Sequence, residues 1–188
     1  MRFYTADLHL GEQTGCDGDK FLNRLDFDNW LISRWNKIVS VKDEVWCLGD
    51  IGLEGSIKAC NRLNGNKHII LGNHDKYWQE VDKRDEAENY YKKLGFNSVD
   101  FDSVEKTICG VTVILAHLPS KGDTYPDACE LDAFRPSIPD NQTLLCGHMH
   151  DIWKQYGNQI NVGITCRDYK PVSETELLDL ICKDKTVE

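Results

Sequence analysis

The chain has 188 residues, 40% of them hydrophobic and 28% charged, with a formal net charge of −9. That length and composition fit a single globular domain, residues 1–188, with a substantial core. No apolar run nears the ~20 residues of a membrane helix, MRFYTADLHL meets Asp and His too early for a signal peptide, and the acidic balance argues against general nucleic-acid binding, so a cytoplasmic protein is expected.

MRFYTA reads as a first strand, and residues 12–19 as a loop rich in Gly, Asp and Thr. From about Lys20 to Ser40 the pattern is helical. Phe21, Leu25, Ile32, Trp35 and Val39 form the expected core stripe, interrupted near Asp28. EVWCLGD, residues 44–50, is a second strand, residues 56–63 a short helix, and KHIILGNHD a third strand. Residues 79–94 are charged and helix-prone, with Tyr90, Tyr91 and Leu94 turned inward. NSVDF, VEKTICG and VTVILAH then read as strands, followed by a long loop rich in Pro, Asp and Gly. NQTLLCGHMH is a further strand, and DIWKQYG, QINVG and SETELLDLI are three more, or the last a helix. Helices between early strands and a strand-rich second half suggest a mixed α/β sandwich. In open α/β sheets ligands collect at the carboxyl ends of strands.

The eight cysteines (Cys16, Cys47, Cys60, Cys109, Cys129, Cys146, Cys166 and Cys182) form no C-x-x-C pair. Reduced structural thiols are therefore expected rather than a zinc ribbon. Cys47, Cys109 and Cys146 sit in or beside apolar runs, as small buried hydrophobes do.

Five segments stand out: Asp7-Leu8-His9, Gly49-Asp50, Gly72-Asn73-His74-Asp75, His117, and Gly147-His148-Met149-His150. Of the six histidines only His68 lies outside them. Residues i and i+2 of an extended segment project to one face, which would pair Asp7 with His9 and His148 with His150. Asp, Asn and His supply oxygen and imidazole donors, suited to manganese, iron or zinc. Seven candidate ligands (Asp7, His9, Asp50, Asn73, His117, His148 and His150) exceed what one ion takes, so two ions sharing a carboxylate is the economical solution. Such pairs lie roughly 3.5–4 Å apart and clamp a phosphoryl centre.

The ordered series D-x-H, G-D, G-N-H-D, H, G-H-x-H resembles the calcineurin-like metallophosphoesterase superfamily over residues 7–150. NVG at 161–163 and PVS at 171–173 are similar to its small single-domain bacterial and phage members. The resemblance implies a four-layer α/β/β/α sandwich of two mixed sheets flanked by helices. It implies that Asp7, His9 and His150 hold a first metal, that Asn73, His117 and His148 hold a second, and that Asp50 bridges them. A hydroxide between the ions would attack phosphorus. His74 would contact phosphate and protonate the leaving oxygen, with Asn73 and Arg167 as further substrate contacts. The cofactors implied are two divalent ions, manganese first, with iron, zinc or nickel as alternatives. Asp75 would orient His74 or stabilise its turn, and Gly72 would let the backbone turn sharply.

Two departures matter. GDIGLEG and LGNHD lack the Asp and Arg of phosphoprotein phosphatases, which argues against that activity. Glu12 stands where many small members have a histidine. Taken singly, each residue has a structural reading: Asp50 as a cap, Asn73 as a turn former, His68 as a strand residue satisfied by its neighbours. Lys121, Tyr125 and Arg135 read first as solvated loop residues. A phosphoesterase acting on a small phosphorylated substrate, leaning to a nucleotide-like phosphodiester, is expected over a phosphomonoesterase or a non-catalytic scaffold of the same fold. No membrane association is expected, and the sequence carries no signal for oligomeric state.

Overall fold

A computed structural model of the protein describes residues 1–12, 21, 23–52 and 57–184. Beyond Glu12, the expected loop at 12–19 falls outside them, as does Cys16. Strands β1 (Arg2–Thr5), β2 (Glu44–Cys47), β3 (Asn66–Ile70) and β4 (Phe96–Asp100) run parallel in one sheet. Its order is β10-β1-β2-β3-β4, with β10 (Val172–Ser173) antiparallel at the edge. The second sheet has the order β5-β6-β7-β9-β8, from β5 (Val104–Ile108), β6 (Val111–Leu115), β7 (Thr143–Cys146), β8 (Gln155–Tyr156) and β9 (Gln159–Asn161). Both sheets are mixed, as expected.

Alternation along the strands builds the layers. Phe3, Val45, Cys47 and Ile69 pack on one face of the first sheet with residues of helices α1 (Arg24–Asn36) and α2 (Arg84–Lys93). Tyr4, Trp46 and Ile70 point the other way, onto Val113, Leu115, Leu145 and Ile160 of the second sheet. Helix α3 (Glu174–Asp184) adds Leu177 and Ile181 to this inter-sheet core. On the outer face of the second sheet, Leu144 and Cys146 are covered by Ile138 and Trp153.

Several sequence expectations need correction. Leu25 is not on the core stripe of α1 but 64% exposed. The Asn23 side chain caps the helix by accepting from the Asp26 N–H at 3.1 Å. From that start, positions spaced by four bury Phe27, Leu31 and Trp35, with Ile32 beside them. The segment SETELLDLI, left open as a strand or a helix, is helical from Glu174. Ser173 and Glu176 form a reciprocal capping box, with the Ser173 N–H 2.9 Å from the Glu176 carboxylate and the Glu176 N–H 3.2 Å from Ser173 Oγ. Cys109 is exposed in a turn at φ +47°, while Cys47 and Cys146 are buried. The long loop contains a 3-10 helix, Ala128–Phe134. Among the described residues no helix is long and apolar enough to cross a membrane.

Candidate metal centre

The carboxyl ends of β1, β2, β3, β6 and β7 meet along one edge of the sandwich. The Asp7 N–H donates to Gly49 O at 3.0 Å, and the Gly147 N–H to His117 O at 2.9 Å. A parallel bridge between Ala6 and Gly163 joins the two sheets there. Five of the seven candidate ligands have left-handed backbones: Asp7 (φ 59°), His9 (φ 43°), Asp50 (φ 54°), His148 (φ 66°) and His150 (φ 42°). Non-glycine residues rarely adopt this region, and its strain gathers at functional sites. The pairing of Asp7 with His9 therefore comes with left-handed backbones at both residues just past β1, not from the strand pleat expected from sequence. Gly72 also differs in its reason. It lacks a positive φ, but a Cβ there would stand 2.3 Å from Asp50 Oδ1 and 2.8 Å from His117 Nδ1.

Donor atoms of Asp7, His9 and His150 lie within 4.8 Å of one another, and so do those of Asp7, Asp50 and His117. Asn73 Oδ1 lies 2.9 Å from His117 Nε2 and 3.2 Å from His148 Nδ1. Asp50 Oδ2 sits between the groups, 3.3 Å from His117 Nε2 and 3.8 Å from His9 Nε2. Asp7 Oδ2 and His9 Nε2 are buried without a hydrogen-bond partner among the described residues. Buried polar atoms are normally satisfied, so two orphaned donors aimed into one cluster fit a divalent cation. The oxygen and imidazole chemistry fits as well.

A layer of contacts holds these donors. Asp75 is buried and accepts from Gly72 N at 2.8 Å, Asp50 N at 2.8 Å and Ile51 N at 3.0 Å. It staples together the two turns that carry the candidate ligands Asp50 and Asn73, which is the turn-stabilising role. Asp50 Oδ1 accepts from the His74 N–H at 2.9 Å. Asp28, the interruption in the α1 pattern, accepts from Gly11 N at 3.1 Å and Arg24 Nε at 2.8 Å, while Arg24 also donates to His9 O. Thus α1 grips the Asp7–His9 turn. Glu12 Oε2 lies 2.9 Å from His9 Nδ1. In the NVG segment, Asn161 Nδ2 donates to His150 O at 2.9 Å.

The electrostatics follow from this crowding of carboxylates. Burial opposes charge on His117, but the Asp50 carboxylate pulls its pKa up to about 9. Burial likewise opposes ionisation of Asp50, yet His117 and His9 hold it well below the carboxylate range. Burial and the neighbouring Asp50 push Asp75 up to about 7. Burial and the neighbouring His117 lower the pKa of His148.

The remaining residues divide. His74 is exposed in a cleft of about 370 Å³ that it lines with His9, Asp50, Asn73, His148 and His150. Tyr125 also lines this cleft, its ring 5.4 Å from that of His148. The sequence predicts a solvated Tyr125, and the structure turns it into the cleft instead. Arg167, expected near substrate, lines a different cleft, with Lys154 and Lys170, and spends its guanidinium on the carbonyls of Asn161 at 2.7 Å and Lys154 at 2.9 Å. Lys121 is exposed. His68 is satisfied by Ser98 Oγ at 2.8 Å and stacks on Trp46. The sequence reading missed Asp123, whose carboxylate meets His148 from the long loop. No local pattern announced it.

Fold and site together define a two-sheet sandwich that gathers a set of metal donors at its strand ends. The chain belongs to the calcineurin-like phosphoesterase superfamily, whose domain model matches residues 5–170. It is similar to the Gene 66 protein of Mycobacterium phage L5, 29% identical over 95% of this chain and 93% of the phage protein. The Gene 66 protein of Mycobacterium phage D29 is also 29% identical, over 64% of this chain and 65% of the phage protein, just under two thirds of its length. A solved structure of a protein of unknown function, AQ665 from Aquifex aeolicus, shares the fold at a TM-score of 0.66 and 23% identity, covering 96% of this chain and 99% of that one.

Proposed function

We propose that this chain is a phosphoesterase that uses two divalent ions, manganese foremost, to hydrolyse phosphodiesters of a nucleotide-like kind. Asp7, His9 and His150 would hold one ion, Asn73, His117 and His148 the other, with Asp50 shared. The observation that carries this reading is the position of Asp50 Oδ2 between His117 Nε2 and His9 Nε2, at 3.3 and 3.8 Å. When bound, such ions supply Lewis acidity and lower the pKa of a bound water to about 7. The protein supplies orientation: Asp75 fixes the turns, Glu12 the His9 ring, and Asn161 the His150 backbone. His74 lines the cleft, its backbone N–H donating to Asp50 Oδ1, and would protonate the leaving oxygen.

The cleft lining supports the diester preference. Among the described residues it includes Glu12, Asp127 and Asp151 and no lysine or arginine. A monoester dianion would bring a second negative charge to that acidic rim, whereas a diester carries one. Tyr125 offers an aromatic face to a base. The test is hydrolysis of bis-p-nitrophenyl phosphate beside p-nitrophenyl phosphate, using metal-stripped protein with Mn²⁺ restored. Diester turnover that needs Mn²⁺ and disappears in Asp50→Ala and His74→Ala is expected. A monoester preference would overturn the substrate class, and metal-independent turnover would overturn the mechanism.

A further inference from the structure

We propose that Asp123, from the segment between β6 and β7, is the positioning residue for His148, and that Arg135 holds it in place. This rests on the dinuclear reading above. Asp123 Oδ2 lies 3.0 Å from His148 Nε2 and 2.7 Å from Arg135 Nη2, and Oδ1 accepts from the Tyr125 N–H at 2.9 Å. The Asp123 side chain is 3% exposed and that of His148 8%. A carboxylate so placed only accepts, so it selects the imidazole tautomer with its proton on Nε2. Nδ1 is then bare, and Nδ1 is the atom that faces Asn73 Oδ1 at 3.2 Å. A carboxylate behind a ligating histidine fixes its tautomer and ring orientation and raises its basicity.

Arg135 does more than neutralise Asp123. It donates to Pro119 O at 3.1 Å and Ala128 O at 2.9 Å, folding the segment around the carboxylate. Its partner Asp132 is bound at 2.9 Å on the outside. His117, in the same donor group, is oriented differently, with Nδ1 2.8 Å from the Leu48 carbonyl. Asp123 therefore acts on one histidine of one ion, and the long loop is a supporting shell for that half of the site.

The test pairs long-range ¹H–¹⁵N spectra of the histidine rings with a two-site Mn²⁺ titration of metal-stripped protein. In the wild type, His148 is expected as the Nε2–H tautomer. In Asp123→Ala that preference is lost, and one Mn²⁺ site weakens by about 10–100-fold while the other keeps its affinity. Asp123→Asn, which retains an acceptor oxygen, should recover part of both signals and serves as the second variant if Asp123→Ala fails to fold. A folded Asp123→Ala that keeps the tautomer and both affinities, or loses both sites equally, would overturn the proposal. Should the wild type bind one ion only, the dinuclear reading fails, while the tautomer readout still decides whether Asp123 orients His148.

Discussion

The carboxylate of Glu12 lies 2.9 Å from Nδ1 of His9, with both side chains buried. The chain thus places a fixed acceptor three residues after a ligand candidate, on the ring nitrogen facing away from Asp50. His9 Nε2 is left as the donor atom. Glu12→Ala should weaken Mn²⁺ binding by about 10–100-fold, and Glu12→Gln by less, because its amide oxygen can still accept. Calorimetric Mn²⁺ titration checks this, and equal affinity in wild type and Glu12→Ala would remove the assigned role.

Gly72→Ala should destabilise the fold by about 1–3 kcal/mol, the usual cost of overpacking. The added Cβ would meet Asp50 Oδ1 at 2.3 Å, so the Asp50 carboxylate must move. Urea unfolding should record the loss, and diester turnover should fall with it. Full activity in this variant would show that Asp50 has room to shift.

Asp75→Asn replaces an acceptor of three backbone N–H groups by a side chain that must turn an NH₂ toward at least one of them. Leaving a buried donor unsatisfied costs about 1–3 kcal/mol. Stability should drop by that amount in denaturant melts, and Mn²⁺ affinity should drop too, since the same bonds set the Asp50 and Gly72 turns. Unchanged stability would mean the three contacts are not maintained in solution.

The pH dependence of metal-free protein follows from His117, whose pKa rises from 6.5 to about 9. A raised pKa means the folded state holds the proton more tightly. Its stabilisation is complete below about pH 6.5 and is lost as pH rises through about 9. Melting temperature of the metal-stripped protein should therefore decline across that window, and His117→Asn should flatten the decline. Ligation needs the neutral ring, so Mn²⁺ binding should tighten across the same window and release a proton. Affinity that does not vary with pH would argue against His117 as a ligand.

On α1, Phe27→Ala should cost about 3–5 kcal/mol, as deletion of a buried aromatic does. Leu25→Ala, at an exposed position, should stay within about 0.5 kcal/mol. Chemical denaturation of the pair decides which face of the helix is the core. Equal effects would return Leu25 to the core stripe, where the sequence placed it.

The sequence by itself determined most of the strands, because short apolar runs ending in Gly, Asp and His are local signals, while β10 (Val172–Ser173) carries none. It also determined the ordered candidate ligands and, through their order, the family. On α1 the expected Phe21, Ile32, Trp35 and Val39 do meet the core, and only Leu25 was misplaced, because the helix starting at the Asn23 cap turns Phe27 and Leu31 inward instead. The left-handed turns at Asp7, His9, Asp50, His148 and His150 were invisible, since only packing between two sheets holds such strained backbones in place. Only the tertiary structure brought Asp123 to His148, a hydrogen bond between residues 25 apart in the chain. It also separated Arg167 from the cleft and gave Glu12 a partner. A residue's type fixes which atoms it can offer, but which atoms face it is settled by contacts that no local pattern encodes.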